Sequence, residues 1–207
     1  KVVAGWIAGT HLDDVGKISP KVFAGTTGEA YEGSAVALHI ELPKEYRAQL
    51  GIVNIFQKGS GDDLTFPKSG FSATECFVNG EKRNFAEYIA TNGLDKKTPL
   101  VANFCGAMVN VSIQAVEGET VKFYAPVFED VTYRLATPVP NYPQSFADAI
   151  PKSAIDPLFS CNCILNYVYG HLEGRKTGAM LGPMTFGEIA YQLLNQTLVY
   201  ITVEKAS

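Results

Sequence analysis

Two cysteines, Cys161 and Cys163, flank Asn162 in the run Leu158-Phe159-Ser160-Cys161-Asn162-Cys163, where residue type and spacing first suggest chemistry. A Cys-x-Cys pair can cycle between dithiol and disulfide if its side chains turn toward one another. Zinc sites use Cys-x₂₋₄-Cys in pairs, and the other two cysteines, Cys76 and Cys105, fall in predicted strands, so the metal signal is weak. At a helix N-terminus Cys161 would become a low-pKa thiolate, because the dipole and free N–H groups favour the anion. The structural alternative makes both cysteines small core hydrophobes at a strand-to-helix junction. A nucleophilic cysteine also needs a base. His171 is the nearest histidine in sequence, and ten helical residues would carry it about 15 Å along the axis, which works against a Cys/His pair.

Downstream, Thr185-Phe186-Gly187-Glu188 follows Gly182-Pro183. A glutamate after a glycine in an otherwise apolar segment either lines a pocket or is a hydrogen-bonded anchor. Asn195-Gln196-Thr197 opens the last predicted strand with side chains that donate and accept, suited to orienting a small polar ligand or to satisfying loop backbone. Arg175 and Lys176 either pair with a ligand carboxylate or form a solvated turn. His39 sits on the polar parity of its predicted strand and reads as an edge histidine. Gly59-Ser60-Gly61-Asp62-Asp63 lacks the alternate ligands and closing Glu of a calcium loop and reads as a flexible, solvated acidic turn. Neither Gly5–Gly9 nor Gly174–Gly178 has phosphate-loop spacing, and there is no Gly-x-Ser-x-Gly elbow. The candidate ligand-binding set is therefore Cys161, Asn162, Thr185, Glu188, Asn195 and Arg175, with no catalytic residue and no resident metal.

The elements that must position these residues are mostly strands. Lys1–Gly9 reads as a short buried strand, Ser34–Leu42 as a half-buried strand ended by Pro43, and Gly51–Lys58 as a third. Phe71–Val78 alternates strongly and ends in Asn79-Gly80, the clearest two-residue turn signal in the chain. Asn84 then caps a helix whose Phe85, Tyr88 and Ile89 share a face and which Gly93 stops. Stretches 108–116, 120–127 and 131–136 read as a β-meander, with Glu117-Gly118-Glu119 joining the first two. Pro138, Pro140 and Pro143 mark an extended connector and the internal boundary, near 137–144, of a single domain. Ser145–Ile150 reads as a short helix before the final strand-helix unit. The fold class expected is α+β, with mixed, largely antiparallel sheets and about three short helices.

Composition narrows the function classes. At 207 residues and 46% hydrophobic, the chain is long enough to fold autonomously. A net charge of −4 without a basic cluster gives no footprint for nucleic acid. No apolar run approaches the ~20 residues of a membrane span, and four cysteines form no dense disulfide framework, which favours a reduced cytoplasmic compartment.

The segments LFSCN (158–162), TFGEIA (185–190) and LNQTLVYITV (194–203) resemble the C-terminal half of the FIST family, intracellular sensory modules usually attached to signalling outputs. VVAGWIAG (2–9), AYEGSAVALHIEL (30–42) and FSATECFVNGEKRNFAEYIATNG (71–93) resemble, in the same order, that family's opening strands, hairpin and short helix. The resemblance implies a non-catalytic sensor for a small metabolite such as an amino acid. It would signal through a partner chain, through an N-terminal half absent here, or as a homo-oligomer. Some FIST relatives bind haem, for which His171 would be the first axial candidate and Cys161 or His39 weaker ones. A thiol-dependent redox protein using Cys161 and Cys163 is the reading from a different class.

Overall fold

Val53 is the first residue of the chain to be buried; before it, only partly buried residues such as Ala4 and Leu50 pack against the core. The computed structural model describes residues 1–104, 106–154, 156–175 and 177–206. Strands β1 (Ala4–Trp6), β2 (Val22–Ala24) and β3 (Glu29–Tyr31) are three residues each. The buried strand expected over Lys1–Gly9 shrinks to β1, and its Trp6 is 49% exposed. The half-buried strand expected over Ser34–Leu42 does not form: the segment belongs to no sheet and exposes every residue from 34 to 41. Alternation makes a strand competent to pair, but only a partner completes it. The third strand lies earlier than expected, as β4 (Tyr46–Val53), because its antiparallel register is set by the C-terminal strand rather than by its own glycine.

The middle of the chain follows its local signals closely. β5 (Leu64–Thr65), β6 (Gly70–Ala73), β7 (Glu75–Val78) and β8 (Glu81–Asn84) lead into α1 (Phe85–Thr91). Asn79 and Gly80 both take positive φ, 51° and 86°, as a hairpin turn matched to strand twist requires. Asn84 caps α1 by accepting from the Glu87 N–H at 2.9 Å. The single strand expected over Phe71–Val78 is divided at Thr74, with its halves in different sheets. β9 (Leu100–Phe104), β10 (Ala107–Val111), β11 (Ile113–Glu117), β12 (Thr120–Val127) and β13 (Arg134–Leu135) complete this half. The expected meander is likewise split at buried Ser112, with β10 beside β9 and β11 beside β12. Phe66 packs edge-on against Phe85, Phe123 and Tyr133 at the centre of this half's core.

α2 (Tyr142–Ala149) begins earlier than expected and takes in Pro143, which the sequence reading gave to the extended connector. Proline is tolerated in a first helical turn because its missing N–H has no intrahelical partner there. β14 (Phe159–Cys163) runs directly into α3 (Ile164–Tyr169), and β15 (Met184–Thr185), β16 (Glu188–Ala190), β17 (Gln192–Leu194) and β18 (Leu198–Lys205) follow. One sheet has the order β15-β14-β18-β4, with only the β14/β15 pair parallel, and β1-β16-β17 form a second. Among the described residues, three α-helices with several mostly antiparallel sheets make the protein α+β.

Candidate functional site

Strand alternation sorts the end of β14. Asn162 stands opposite Leu198, and Leu198 opposite Val53, so these three share one face of the sheet, while Cys161 shares the other with Val199. On the first face Val53 and Leu198 pack with Phe146, Ala154, Leu172 and Met180. On the second, Cys161 and Val199 pack with Val109, Ala190 and Leu194. Cys161 is therefore mid-strand, not at a helix N-terminus as the low-pKa reading required. Burial raises its thiol to about 12 and pushes Cys163 up as well, with nearby Glu188 adding to both. Both thiols stay protonated at neutral pH, and they behave as core residues.

Glu188 is fully buried at the start of β16. Thr185 and Thr197 hydroxyls lie 2.8 Å from its Oε1 and Oε2 respectively. Burial, only partly offset by these hydrogen bonds and one from Cys163, raises its carboxyl from 4.5 to about 8. The proton inventory is compatible with that. Thr185 Oγ1 has a single hydrogen, yet it also lies 3.2 Å from the Asn162 carbonyl oxygen. That hydrogen is either shared between the two oxygens as a three-centre bond or, when Glu188 is protonated, donated onward to Asn162 while Glu188 donates to Thr185.

Around Asn162 the side-chain amides form a second layer. Asn166 Nδ2 donates to Asn162 Oδ1 at 2.9 Å and to the Thr197 carbonyl at 3.0 Å, and Tyr142 donates its hydroxyl to Asn166 Oδ1. Asn162 Nδ2 has no partner: among the described residues it is the one buried side-chain polar atom left without a hydrogen bond. Rotating the Asn162 amide does not help, because Asn166 Nδ2 would then face another N–H₂ group. An unmet buried donor costs about 1–3 kcal/mol.

Asn195 anchors a third group. Its Oδ1 accepts from the Ser112 N–H at 3.1 Å and its Nδ2 donates to the Asn110 carbonyl at 3.2 Å. Asn54 and Asn110 exchange amide hydrogen bonds at 3.0 and 3.1 Å. Asn54, Asn110, Ser112, Tyr142 and Asn166 did not stand out in the sequence. Their signal was only a polar residue interrupting an apolar run, at Ser112 and Asn110 in particular.

The structure thus brings Asn162, Thr185, Glu188 and Asn195 into one buried polar region with Cys161 beside it, and leaves Arg175 out. Arg175 is exposed and donates its Nε to the His171 carbonyl at 3.2 Å. Lys176 and Cys105 lie outside the described residues. His171 is exposed at a left-handed turn (φ 48°), and the helix expected to carry it ends at Tyr169. His39 is exposed. The acidic turn is not loosely solvated: Asp62 accepts from Asn79 and Tyr88, and Asp63 accepts from Arg134 Nε at 2.6 Å, which holds its carboxyl below the usual range. Among the described residues no three His, Cys, Asp or Glu side chains converge as metal ligands, and no helix is long and apolar enough to cross a membrane.

A surface cleft of about 380 Å³ opens between the end of α2 and the segment around Gly178, lined by Ala147, Ile150, Lys152, Ala154 and Ala179 among others. Its wall residue Ala154 packs into the cluster of Val53 and Leu198, so the cleft opens on the side of the sheet that carries Asn162. Residues 1–204 match a family model described as a family of unknown function, DUF6976. No curated protein and no solved structure matches the chain.

Proposed function

The chain belongs to DUF6976, a family of unknown function, and from that premise we propose that it is a small-molecule-binding sensory module, akin to the FIST modules its sequence resembles, without catalysis of its own. The observation that carries this reading is the unspent Asn162 Nδ2. It lies in a region where the other buried side-chain polar atoms are partnered, on the side of the sheet where the cleft opens. A ligand carbonyl or carboxylate oxygen reaching it would recover the cost of the unmet donor. The cleft's volume falls in the range of small-metabolite sites, and Lys152 on its rim suits a ligand with an acidic group. Amino acids are the first compounds to test.

The segment from Gly170 to Pro183 is the element through which binding would be transmitted. Leu172 and Met180 pin it to the Phe146 cluster, the Gly182 N–H donates to Ser160 Oγ, and the Asn162 N–H donates to the Pro183 carbonyl. A ligand that moves this segment moves the strand carrying Asn162. The thiol-based alternative loses ground, because both cysteines are buried and protonated.

The test is a thermal-shift and calorimetric screen of the purified chain against amino acids and related carboxylates, repeated with Asn162→Leu and Lys152→Ala. Ligand excess over Kd stabilises the folded state by mass action, about 2.7 kcal/mol at a hundredfold excess. Stabilisation of the wild type that is lost in Asn162→Leu supports the reading. Equal binding by a folded Asn162→Leu variant, or thiol-dependent turnover abolished by Cys161→Ser, overturns it.

A further inference from the structure

We propose that two copies of this chain associate by exchanging arms, residues 34–42 of each copy adding as an antiparallel strand to the free edge of β4 in the other. Two unfilled features of the same chain support this.

The first is the arm. Residues 34–42 alternate as a strand does, with Val36, Leu38 and Ile40 on one side, exposed by 49%, 83% and 56%. Among the described residues, none of their backbone groups has a backbone partner. Residues 1–45 carry 20 of the apolar types that make up 46% of the chain, yet none is buried. A segment with the composition of a core and no core of its own is covered in the working assembly.

The second is the edge. β4 is eight residues long and lies at the end of its sheet, paired with β18 on one side only. It contains no proline and no lysine, and its single charge, Arg47, is bridged to Glu204 at 2.6 Å, so the usual protections of an edge strand are missing. Ala48, Leu50 and Ile52 alternate on the face they share with Ile201 and Val203, and Ile52 and Val203 are 40% and 36% exposed. A nine-residue arm matches an eight-residue edge. The arm's only carboxylate is Glu41 and the edge's only charge is Arg47, which are of opposite sign.

The arm cannot readily satisfy its own edge. Pro43 to Tyr46 forms a tight turn, the Tyr46 N–H donating to the Pro43 carbonyl at 2.9 Å, and neither Lys44 nor Glu45 has positive φ. Turns of this hand splay the strands they join, whereas two-residue hairpins need the opposite hand. A second copy offers the same edge without that constraint. Because each copy supplies one arm and one edge, the exchange closes as a twofold dimer and leaves no further strand to add.

Sedimentation equilibrium and light scattering of the purified chain over about 1–100 μM, the micromolar range of ordinary association, test the proposal. The expected species has twice the 22.4 kDa chain mass. Leu38→Asp/Ile40→Asp, which touches only exposed side chains, should keep the wild-type circular dichroism and melting profile while weakening dimerisation at least tenfold. A second variant, Val36→Cys/Ile52→Cys, which face each other in the register that sets Glu41 opposite Arg47, should give a reducible dimer band on oxidation. A wild type that stays monomeric throughout, an open-ended polymer, a dimer unaffected by Leu38→Asp/Ile40→Asp, or an intramolecular disulfide in place of the dimer band would each overturn it.

Discussion

Thr185 Oγ1 lies 2.8 Å from Glu188 Oε1 with one hydroxyl hydrogen to serve both that carboxyl and the Asn162 carbonyl. Burial of that carboxyl, not the Thr185 contact, is what favours a proton on Glu188. The contact ties β16 to the tip of β14, so the ionisation of one side chain bears on two sheets.

The pH dependence of stability follows from that burial. Unfolded, the Glu188 carboxyl titrates near 4.5; folded, it keeps its proton to about 8. Between those values the folded state holds one proton more, so stability is complete below pH 4.5 and declines as pH rises toward 8, by up to about 1.4 kcal/mol per pH unit. Urea midpoints should fall from pH 5 to pH 8 and then level off. Glu188→Gln should flatten that profile, and a flat wild-type profile would contradict the assignment. Asp63 acts in the opposite direction at lower pH, where protonation loses its pairing with Arg134.

Asn195→Ala should be costly even though the residue touches no outer surface. It leaves the Ser112 N–H and the Asn110 carbonyl without their side-chain partners in a dry interior. The expected loss is about 2–4 kcal/mol in denaturant unfolding. A loss under about 0.5 kcal/mol would show that solvent reaches the network.

Thiol chemistry offers an independent check. Cys76, Cys161 and Cys163 are buried and raised, Cys76 to about 11. An aromatic disulfide reagent at pH 7.5 should label them only as fast as the protein opens, and rapidly once urea is added. Fast stoichiometric labelling of Cys161 or Cys163 in the native state would revive a redox role.

Gly182→Ala separates close packing from backbone freedom. A Cβ there would lie 1.6 Å from the Ser160 carbonyl oxygen, so the backbone must move and the Gly182–Ser160 hydrogen bond must break. The variant should lose about 3 kcal/mol or more and become protease-sensitive between residues 170 and 183. Gly61→Ala, with open space around the site, should be nearly neutral.

Much of the middle of the chain was legible because its signals are local. Asn79-Gly80 could only be a tight hairpin turn, and Asn84 with Phe85, Tyr88 and Ile89 specified a capped helix, since both depend on residues within one or two turns. The ends were less legible. Ser34–Leu42 has the pattern of a strand, but pairing is a property of two segments, and the turn from Pro43 to Tyr46 has the wrong hand to fold it back onto the neighbouring edge of β4. At the site, Glu188 and Asn195 were visible as polar residues in apolar runs. The Asn195 partners Ser112 and Asn110 were not, because they lie 83 and 85 residues away.

Composition and local spacing by themselves determined an α+β chain with its turns, its one clear cap and a polar group at the end of the Cys161 strand. Tertiary structure alone decided that Cys161 is a protonated core residue, that Glu188 keeps a proton near neutral pH, and that Asn162 has an unmet donor. The reason is electrostatic: the charge state of a side chain depends on the solvent it loses and the partners it gains, and both are set by segments distant in the chain.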